Sequence, residues 1–332
     1  MKNNRRMQHR TIWVDMLRGF SMLAILWFHT EMYYAGRDVT PYALYVGDVL
    51  AAFFFLSGYL FYRETPVSLR HKLYGVFRWL LVPYLVFTTL LAFPKALAHD
   101  SFQGVGALLL DILTGQASWY VSALIVAELL FLAVLRCFGK KSFWLAAVAL
   151  LMLVAAALFG NRQSSLHNDC NFWHVNEAMM GFFLMTVGYF FHQNEKALTK
   201  VLFSRWGIFV LTVLFVLSKY IILSNDMQVV FGPIIVSDFF LFIADLLVAV
   251  FLLVGVFMKL RSVPVLTWVG QRSIVYYFIC GGVPLVLGRL FVSVGFPYSN
   301  YLQLFVVFAA VCLFATVMVW LVYRYTHIVR HP

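Results

Sequence analysis

The first apolar run of the chain carries two ionisable side chains at a spacing that could serve chemistry. Arg18 and His29 stand in the stretch WVDMLRGFSMLAILWFHT, residues 13–30. The eleven steps between them, at about 100° each, make roughly three turns of an α-helix, so both side chains project from one face, roughly 16 Å apart along the axis. Ionisable groups are costly inside a membrane, so both need partners or a task.

A guanidinium suits phosphate groups, and an imidazole suits proton transfer near neutral pH. On the helix face that Arg18 and His29 share, the residues between them are uncharged: Ser21 or Met22, and then Ile25. A chain-like ligand could therefore lie along this stripe of the helix. The pair therefore fits a ligand with a phosphate-rich head at one end and a reacting group deeper in the membrane. An acyl-coenzyme A matches that description.

The alternative for each residue is structural. Arg18 could extend to the membrane interface beside Asp15, three residues earlier, and His29 could be a hydrogen-bonded histidine near the outer end of the helix. The shared face favours the chemical interpretation only modestly. The rest of the chain has to decide between the two.

The composition is that of an integral membrane protein. Of 332 residues, 63% are apolar and 12% are charged, which is far from the composition of a soluble globular domain. Apolar segments of about 17–25 residues predict an all-α polytopic membrane bundle of about ten transmembrane helices. The predicted spans are 17–34, 44–62, 78–97, 119–137, 143–160, 176–192, 207–223, 234–258, 265–288 and 300–323.

Basic residues orient this bundle. With ten spans both termini share a side, and if that side is the cytoplasm, 20 of the 25 lysines and arginines lie at cytoplasmic ends, as the positive-inside rule requires. The net charge of +11 thus has a membrane explanation, and no nucleic-acid partner is expected. We expect a multi-pass protein of the cell inner (cytoplasmic) membrane. The basic residues on the outer side are Arg37, Lys95, Arg162, Lys219 and Arg289.

The domain organisation follows from these spans. Residues 1–16 form a basic cytoplasmic N-terminal segment, 17–323 the transmembrane domain and 324–332 a short cytoplasmic tail. Segment 100–116 is too short and too polar to span, and its leucines predict a helix that lies at the outer surface or re-enters the membrane.

Other ionisable residues fit structural roles. Asp238 and Asp245 share one face of the eighth span and favour hydrogen bonding in the interior, with a proton relay as the lesser alternative. The outer loop 167–174 offers four metal-ligand types, but their spacing fits no named metal signature, so we expect no metal site. These residues are His167, Asp169, Cys170 and His174.

Several motifs together resemble the acyltransferase 3 family of multi-span membrane proteins. The family's entry to the first span, an Arg and a His with ten residues between them, matches DMLRG at 15–19 followed by His29. Further motifs follow in family order over most of the chain. They are FFFLSGYLF at 53–61, FRWLLVPYL at 77–85, SWYVSAL at 118–124 and, more weakly, GFFLMTVGY at 181–189 and WVGQRSIVYYFIC at 268–280.

The resemblance implies an O-acyltransferase that moves an acyl group, commonly acetyl, from cytoplasmic acyl-CoA to a hydroxyl of a sugar or surface polysaccharide. His29 would be the general base, and Arg18 and Arg78 would bind the acyl donor. Acyl-CoA is then a co-substrate rather than a permanently bound cofactor. The residues expected to form or support the pocket are Asp15, Glu31, Ser57, Gly58, Trp119, Tyr120 and Tyr277.

Two departures from the family pattern matter. The Arg-x-x-Arg that often precedes the third span keeps only its second arginine, Arg78, so Arg70 or Lys72 would have to compensate in binding the donor. The late Tyr-x-x-His ends in Cys280, which removes a candidate ligand for the acceptor.

Two pairs of adjacent residues within these motifs could also have a purely structural role. Ser57 and Gly58 favour a notch where helices pack closely, because small residues allow close approach and no base is adjacent in sequence. Trp119 and Tyr120 begin the fourth span, where an interfacial aromatic belt is expected. The family match favours a place in the pocket for both aromatics.

The partner of the His29 imidazole stays open at this point. Glu31 lies about 200° around a regular helix from His29 and cannot orient it without a break in helical geometry, so we expect it on the acceptor side. Asp48 and Glu128 are the other candidate partners.

Two other function classes compete with acyl transfer. In a multi-span transporter, Arg18, His29 and the intramembrane acids would form a substrate or proton path. A structural or partner-binding membrane component would need no chemistry. For an acyltransferase the expected partners are acyl-CoA, a glycan or lipid-linked sugar acceptor, membrane lipids and, as a possible assembly, a second copy of the chain.

Overall fold

The protein folds as a bundle of α-helices with one short β-hairpin. The architecture comes from a computed structural model. It describes residues 12–63, 68–98, 102–138, 142–165, 171–326 and 329.

The helices follow the apolar runs of the sequence. They are α1 (Ile12–Thr30), α2 (Val46–Phe61), α3 (Leu69–Val76), α4 (Val82–Ala98), α5 (Val105–Leu113), α6 (Trp119–Phe138), α7 (Ser142–Ser165), α8 (Val175–Gln193), α9 (Glu195–Leu202), α10 (Arg205–Ser224), α11 (Phe239–Lys259), α12 (Pro264–Gly270), α13 (Ser273–Ile279), α14 (Gly282–Ser293) and α15 (Tyr301–Tyr325). The hairpin pairs β1 (Val229–Val230) with β2 (Ile235–Val236). Segments of π-helix at Glu31–Ala35 and Phe77–Leu81 continue α1 and join α3 to α4.

Seven helical stretches in the described part of the chain are long and apolar enough to cross a membrane, or eight if the bent pair α13 and α14 counts as one span. Each of the ten predicted ranges holds helix, so the all-α membrane bundle is confirmed, while the count of ten stays a prediction. α2 is shorter than a full span at 16 residues. α8 begins with the polar residues Asn176 and Glu177.

Polar caps fix where several helices begin. The side chains of Ser204 and Asn300 accept hydrogen bonds from backbone N–H groups at the starts of α10 and α15, which satisfies donors that a helix leaves free. Asp238 does the same for α11 by accepting from Leu241 N at 2.9 Å. The expectation that Asp238 hydrogen-bonds in the interior beside Asp245 is therefore wrong, because the helix begins one residue after Asp238.

The first two helices lie at the centre of the bundle. Within the apolar window of Ile12–Ala35, 56% of the residues are buried, against 22% for the α7, α10 and α15 windows. α2 packs closely on α8: a β-carbon built on Gly58 would lie 1.8 Å from the Met185 carbonyl oxygen, and one on Gly188 would lie 2.0 Å from that of Phe55. Small residues here allow backbone contact, as the sequence predicts for Gly58.

The predicted span 265–288 is broken into three helices. α13 and α14 meet at an angle of 47° across Cys280 and Gly281. Non-helical backbone at membrane depth is tolerated where protein buries it or where it lines a cavity. The break therefore marks a region to search for a site.

A fully paired ion cluster joins α2, α10 and α11. Lys219 Nζ lies 2.8 Å from Asp48 Oδ2, 2.7 Å from Asp245 Oδ2 and 2.8 Å from the Ala43 carbonyl oxygen. Ser218 donates to the second oxygen of Asp245 at 2.6 Å. The cluster ties three helices together, in line with the hydrogen-bonding role expected for Asp245.

Candidate active site

His29 lies at the end of α1, directly before the π-helical segment Glu31–Ala35. Its imidazole stacks on Tyr33 with ring centroids 5.9 Å apart and an interplanar angle of 10°, and it makes no hydrogen bond within the described part of the chain. π-Helical segments occur often at functional sites because they re-aim side chains. Here the wider turn places Tyr33 over the ring of His29.

His29 lines a cavity of about 760 Å³, a size typical of ligand pockets. α1, α2, α4, α6 and the broken span all contribute to its walls. The walls are largely apolar, and a few polar side chains face the same space. These are Thr88, Lys95, Asp111, Gln116, Ser118 and Tyr277.

The broken span gives the cavity one of its walls. Tyr277, Cys280 and the glycine pair 281–282 all line it. The Tyr277 hydroxyl accepts a hydrogen bond from Ser118 Oγ at 3.2 Å, and Ser118 precedes Trp119, another lining residue. The structure thus brings His29, Trp119 and Tyr277 together from three distant parts of the sequence.

Glu31 does not line this cavity. Its carboxylate is fully buried and accepts hydrogen bonds from Thr40 N at 2.9 Å and from the Tyr45 hydroxyl at 3.3 Å. These bonds join the end of α1 to the segment that leads into α2, and the expected place of Glu31 on the acceptor side stays a prediction. The regular α-helix does end at Thr30, where the π-helical segment begins, and the Glu31 carboxylate is directed toward Thr40 and Tyr45 in the connection to α2.

A second group of polar residues lies closer to the start of α1, at what we term the Arg18 end of the bundle. Ser57 Oγ donates to Glu128 Oε1 at 2.5 Å, and the charges of Arg18 and Lys72 act on the Glu128 carboxyl. Arg18 also acts electrostatically on the Tyr120 hydroxyl. Arg18, Ser57 and Glu128 form what we call the inner cluster.

The inner cluster and the cavity lie at different depths. Arg18 and His29 are eleven residues apart on α1, which gives roughly 16 Å along the axis. Glu128 and Trp119 are nine residues apart on α6, which gives roughly 13 Å. Two helices thus place the cluster about three turns from the cavity. Arg18 itself does not line the cavity.

The candidate partners of the His29 imidazole have other contacts. Asp48 pairs with Lys219, and Glu128 accepts from Ser57. Ser57 therefore has a polar contact in addition to its place beside the Gly58 notch, which the packing interpretation alone did not anticipate. No local signal in the sequence connects residue 57 to residue 128, because the pair joins two helices far apart along the chain.

A family model for the acyltransferase domain matches residues 11–324, nearly the whole chain. The chain belongs to the acyltransferase 3 family. No curated protein and no solved structure matches it. The resemblance inferred from the motifs is confirmed, and membership implies a multi-pass membrane acyltransferase.

In this acyltransferase the remaining motif residues lie toward the Arg18 end. Asp15 is buried and accepts from Gln271 Nε2 at 3.2 Å, which links α1 to the connection between α12 and α13. Arg78 sits on the π-helical segment Phe77–Leu81, with its guanidinium 4.9 Å from the centre of the Trp79 ring. That segment contacts α6, the helix of Glu128.

Lys72 contributes a second cation beside Arg78 at this end of the acyltransferase. Its Nζ donates to the Phe61 carbonyl oxygen and lies 4.3 Å from the centre of the Phe61 ring. Lys72 is partly buried whereas Arg70 is exposed, and compensation by either residue for the missing arginine of the family pattern stays a prediction. Arg18 near the start of α1 and Lys72 beside the end of α2, together with Arg78, give the acyltransferase several cations at this end.

The outer-loop residues 167–170, including His167, Asp169 and Cys170, lie outside the described residues. His174 is described: it precedes α8 in a left-handed backbone conformation and its Nδ1 lies 3.4 Å from Glu177 Oε2. Among the described residues, no group of three metal-ligating side chains lies close together.

Proposed function

We propose that the protein is a membrane O-acyltransferase that moves an acyl group, which we take to be acetyl, from cytoplasmic acyl-CoA to a hydroxyl of a sugar or surface-polysaccharide acceptor. Both termini then lie in the cytoplasm of a cell whose inner membrane holds the protein. The observation that carries the proposal is the position of His29, which faces a 760 Å³ cavity with its imidazole stacked but not hydrogen-bonded by the described residues.

The acyl donor enters from the Arg18 end. Arg18, Lys72 and Arg78 supply positive charge there, and guanidinium groups suit the phosphates of coenzyme A. The roughly 16 Å between Arg18 and His29 is filled by an extended chain that ends in the thioester. The acyl carbon then reaches the cavity while the phosphates stay at the cytoplasmic side.

The acceptor occupies the cavity. Trp119 and Tyr277 offer aromatic surfaces, and Gln116, Ser118 and Asp111 offer hydrogen-bonding groups. Ligand sites commonly combine apolar walls with a few polar groups that fix orientation. This combination suits a sugar, whose ring faces pack on aromatics while its hydroxyls form hydrogen bonds.

In the direct reaction, a ring nitrogen of His29 takes the proton of the acceptor hydroxyl as its oxygen attacks the thioester carbonyl carbon. The new C–O bond forms, the C–S bond breaks, and His29 returns the proton to the departing thiolate of coenzyme A. General-base help of this kind contributes about 10²–10⁴ in rate. A two-step path through a transiently acylated His29 uses the same residues and also balances.

The alternative function, transport, is not supported by an observation comparable to the position of His29 in the cavity. Asp48 and Asp245 pair with Lys219 and do not line the cavity, and Glu128 accepts from Ser57. Asp48 and Asp245 therefore do not form a proton path with His29.

The test is transfer of labelled acetyl from acetyl-CoA to glycan acceptors in membranes that contain the protein. Wild type is expected to transfer label, and His29→Ala is expected to lower the rate by about 10²–10⁴-fold. His71→Ala is the matched control, because His71 is an exposed histidine at the Arg18 end. Full activity in His29→Ala would overturn the base assignment, and no transfer by wild type to any glycan would overturn the function.

A further inference from the structure

Two buried hydroxyl groups between the inner cluster and the cavity lack a hydrogen-bond partner among the described residues. They belong to Ser21, which is 1% exposed, and Tyr120, which is 5% exposed. Native structures pair nearly all buried polar atoms, so each exception calls for an explanation. A ligand that enters this region and bonds to both hydroxyls would supply one.

The positions of these hydroxyls agree with a path from Arg18 to His29. Ser21 lies one turn past Arg18 on α1, on the stripe that also holds Ile25, a lining residue of the cavity. Tyr120 is within electrostatic reach of both Arg18 and Tyr277. Its ring lies 5.5 Å from the Tyr277 ring, so Tyr120 joins the inner cluster to the cavity wall.

Glu128 adds a hydrogen-bond acceptor to the same path between Arg18 and His29. Ser57 bonds to one oxygen of its carboxyl group, and a carboxylate can accept about four hydrogen bonds over its two oxygens. The side chain sits in the middle of α6, where a carboxyl group is costly unless it has partners or a task. Ser57 and the nearby charge of Arg18 hold it in place.

We infer that Ser21, Tyr120 and Glu128 form a binding site for the amide-bearing arm of the acyl donor, between its phosphates and its thioester. This inference rests on the proposed function. The arm of coenzyme A carries two secondary amides, each with one N–H donor and one carbonyl acceptor. The Tyr120 and Ser21 hydroxyls donate to amide carbonyls, and the carboxylate of Glu128 accepts from an amide N–H.

The site makes the enzyme specific for the arm and not only for the acyl group. A plain alkyl chain would leave the two hydroxyls and the carboxylate without partners, and sites built to hydrogen-bond a group reject analogues that lack it. The three side chains touch the donor but neither give nor take a proton in the reaction. They determine which thioesters reach His29.

The experiment compares three acetyl donors in Tyr120→Phe and Ser21→Ala. Acetyl-CoA and S-acetylpantetheine carry both amides, whereas S-ethyl thioacetate carries none. Each variant is expected to lower kcat/KM roughly two- to tenfold for the first two donors, the effect of one hydrogen bond, and to leave S-ethyl thioacetate unchanged. Tyr276→Phe is the control, because the hydroxyl of buried Tyr276 already has a protein partner, the Thr316 hydroxyl at 2.7 Å.

A binding measurement keeps the inference testable apart from transfer. Pantetheine alone is expected to raise the thermal unfolding midpoint of the detergent-solubilised wild type, and to raise that of Tyr120→Phe and Glu128→Leu less. Glu128→Gln, which keeps a carbonyl acceptor, is expected to retain more of the shift than Glu128→Leu.

The outcomes separate the two proposals. If the variants match wild type with amide donors, or lose equal activity with all three donors, the amide site is wrong while acyl transfer stands. If wild type transfers acetyl from no thioester, the proposed function fails. In that case a pantetheine shift that depends on Tyr120 still supports the site, and a shift that is absent or independent of Tyr120 overturns it.

Discussion

Two polar regions inside this bundle differ in how completely their groups are paired. Around Lys219, the ammonium and both neighbouring carboxylates have partners at 2.7–2.8 Å. Along the line from Ser21 through Tyr120 to His29, two hydroxyls have no hydrogen-bond partner among the described residues, and the His29 imidazole stacks on the Tyr33 ring. Buried polar groups that are fully paired hold helices together, whereas those left under-bonded suit an incoming ligand.

The first way to break this comparison is to remove the cation of the paired region. Lys219→Met leaves Asp48 and Asp245 as buried charges without a counter-ion, which should destabilise the protein by about 3–5 kcal/mol. Thermal unfolding of the detergent-solubilised protein and the yield of folded material report the loss. Adding Asp48→Asn and Asp245→Asn removes all three charges and should recover much of it. A single Lys219→Met variant that unfolds like wild type would contradict a structural role for the cluster.

Neighbouring residues on α2 provide a sharper contrast. Gly58→Ala places a β-carbon 1.8 Å from the Met185 carbonyl oxygen, and overpacking of this kind costs about 1–3 kcal/mol or more. Ser57→Ala removes only the hydrogen bond to Glu128 and should cost about 1 kcal/mol. Unfolding midpoints of the two variants, measured side by side, compare packing with polar contact. Equal midpoints would show that α2 and α8 can move apart to accommodate the added methyl group at little cost in stability, which would contradict the expected overpacking.

The smallest effect on stability is expected at His29. His29→Ala removes a stacked ring but no hydrogen bond within the described residues, so the unfolding free energy should change by less than about 1 kcal/mol. The same variant should lose most of its transfer activity. A loss of stability as large as that of Lys219→Met would place His29 among the structural residues instead.

Much of the site could be predicted from local sequence. The spacing of Arg18 and His29 placed both on one face of the first helix, and the motifs around Trp119 and Tyr277 named two residues that the fold brings to the same cavity. These predictions work because each rests on helical periodicity or on a short motif. Both are properties of contiguous residues.

The pairings between helices could not be predicted in this way. Asp48 meets Lys219 across 171 residues, and Ser57 meets Glu128 across 71. Which face of one helix meets which face of another depends on packing of the whole bundle, and no local pattern encodes it. The break in the span 265–288, unlike these pairings, does have a local signal in the sequence. The adjacent glycines at 281–282 and Pro284 favour a break in a helix, but they lie within a long apolar run that predicts a single span.

The length of α2 has a consequence for the acceptor. Its 16 residues rise about 24 Å, less than the roughly 30 Å of hydrocarbon in a typical bilayer. Val46 and Leu50, in its first two turns, line the cavity, so the cavity lies beside the start of a helix that is shorter than a full span. If the proposed acyl transfer is right, we therefore expect the acceptor hydroxyl to reach His29 below the membrane surface. The free end of a glycan, or a sugar carried on a lipid, would fit this expectation better than the middle of a long polymer.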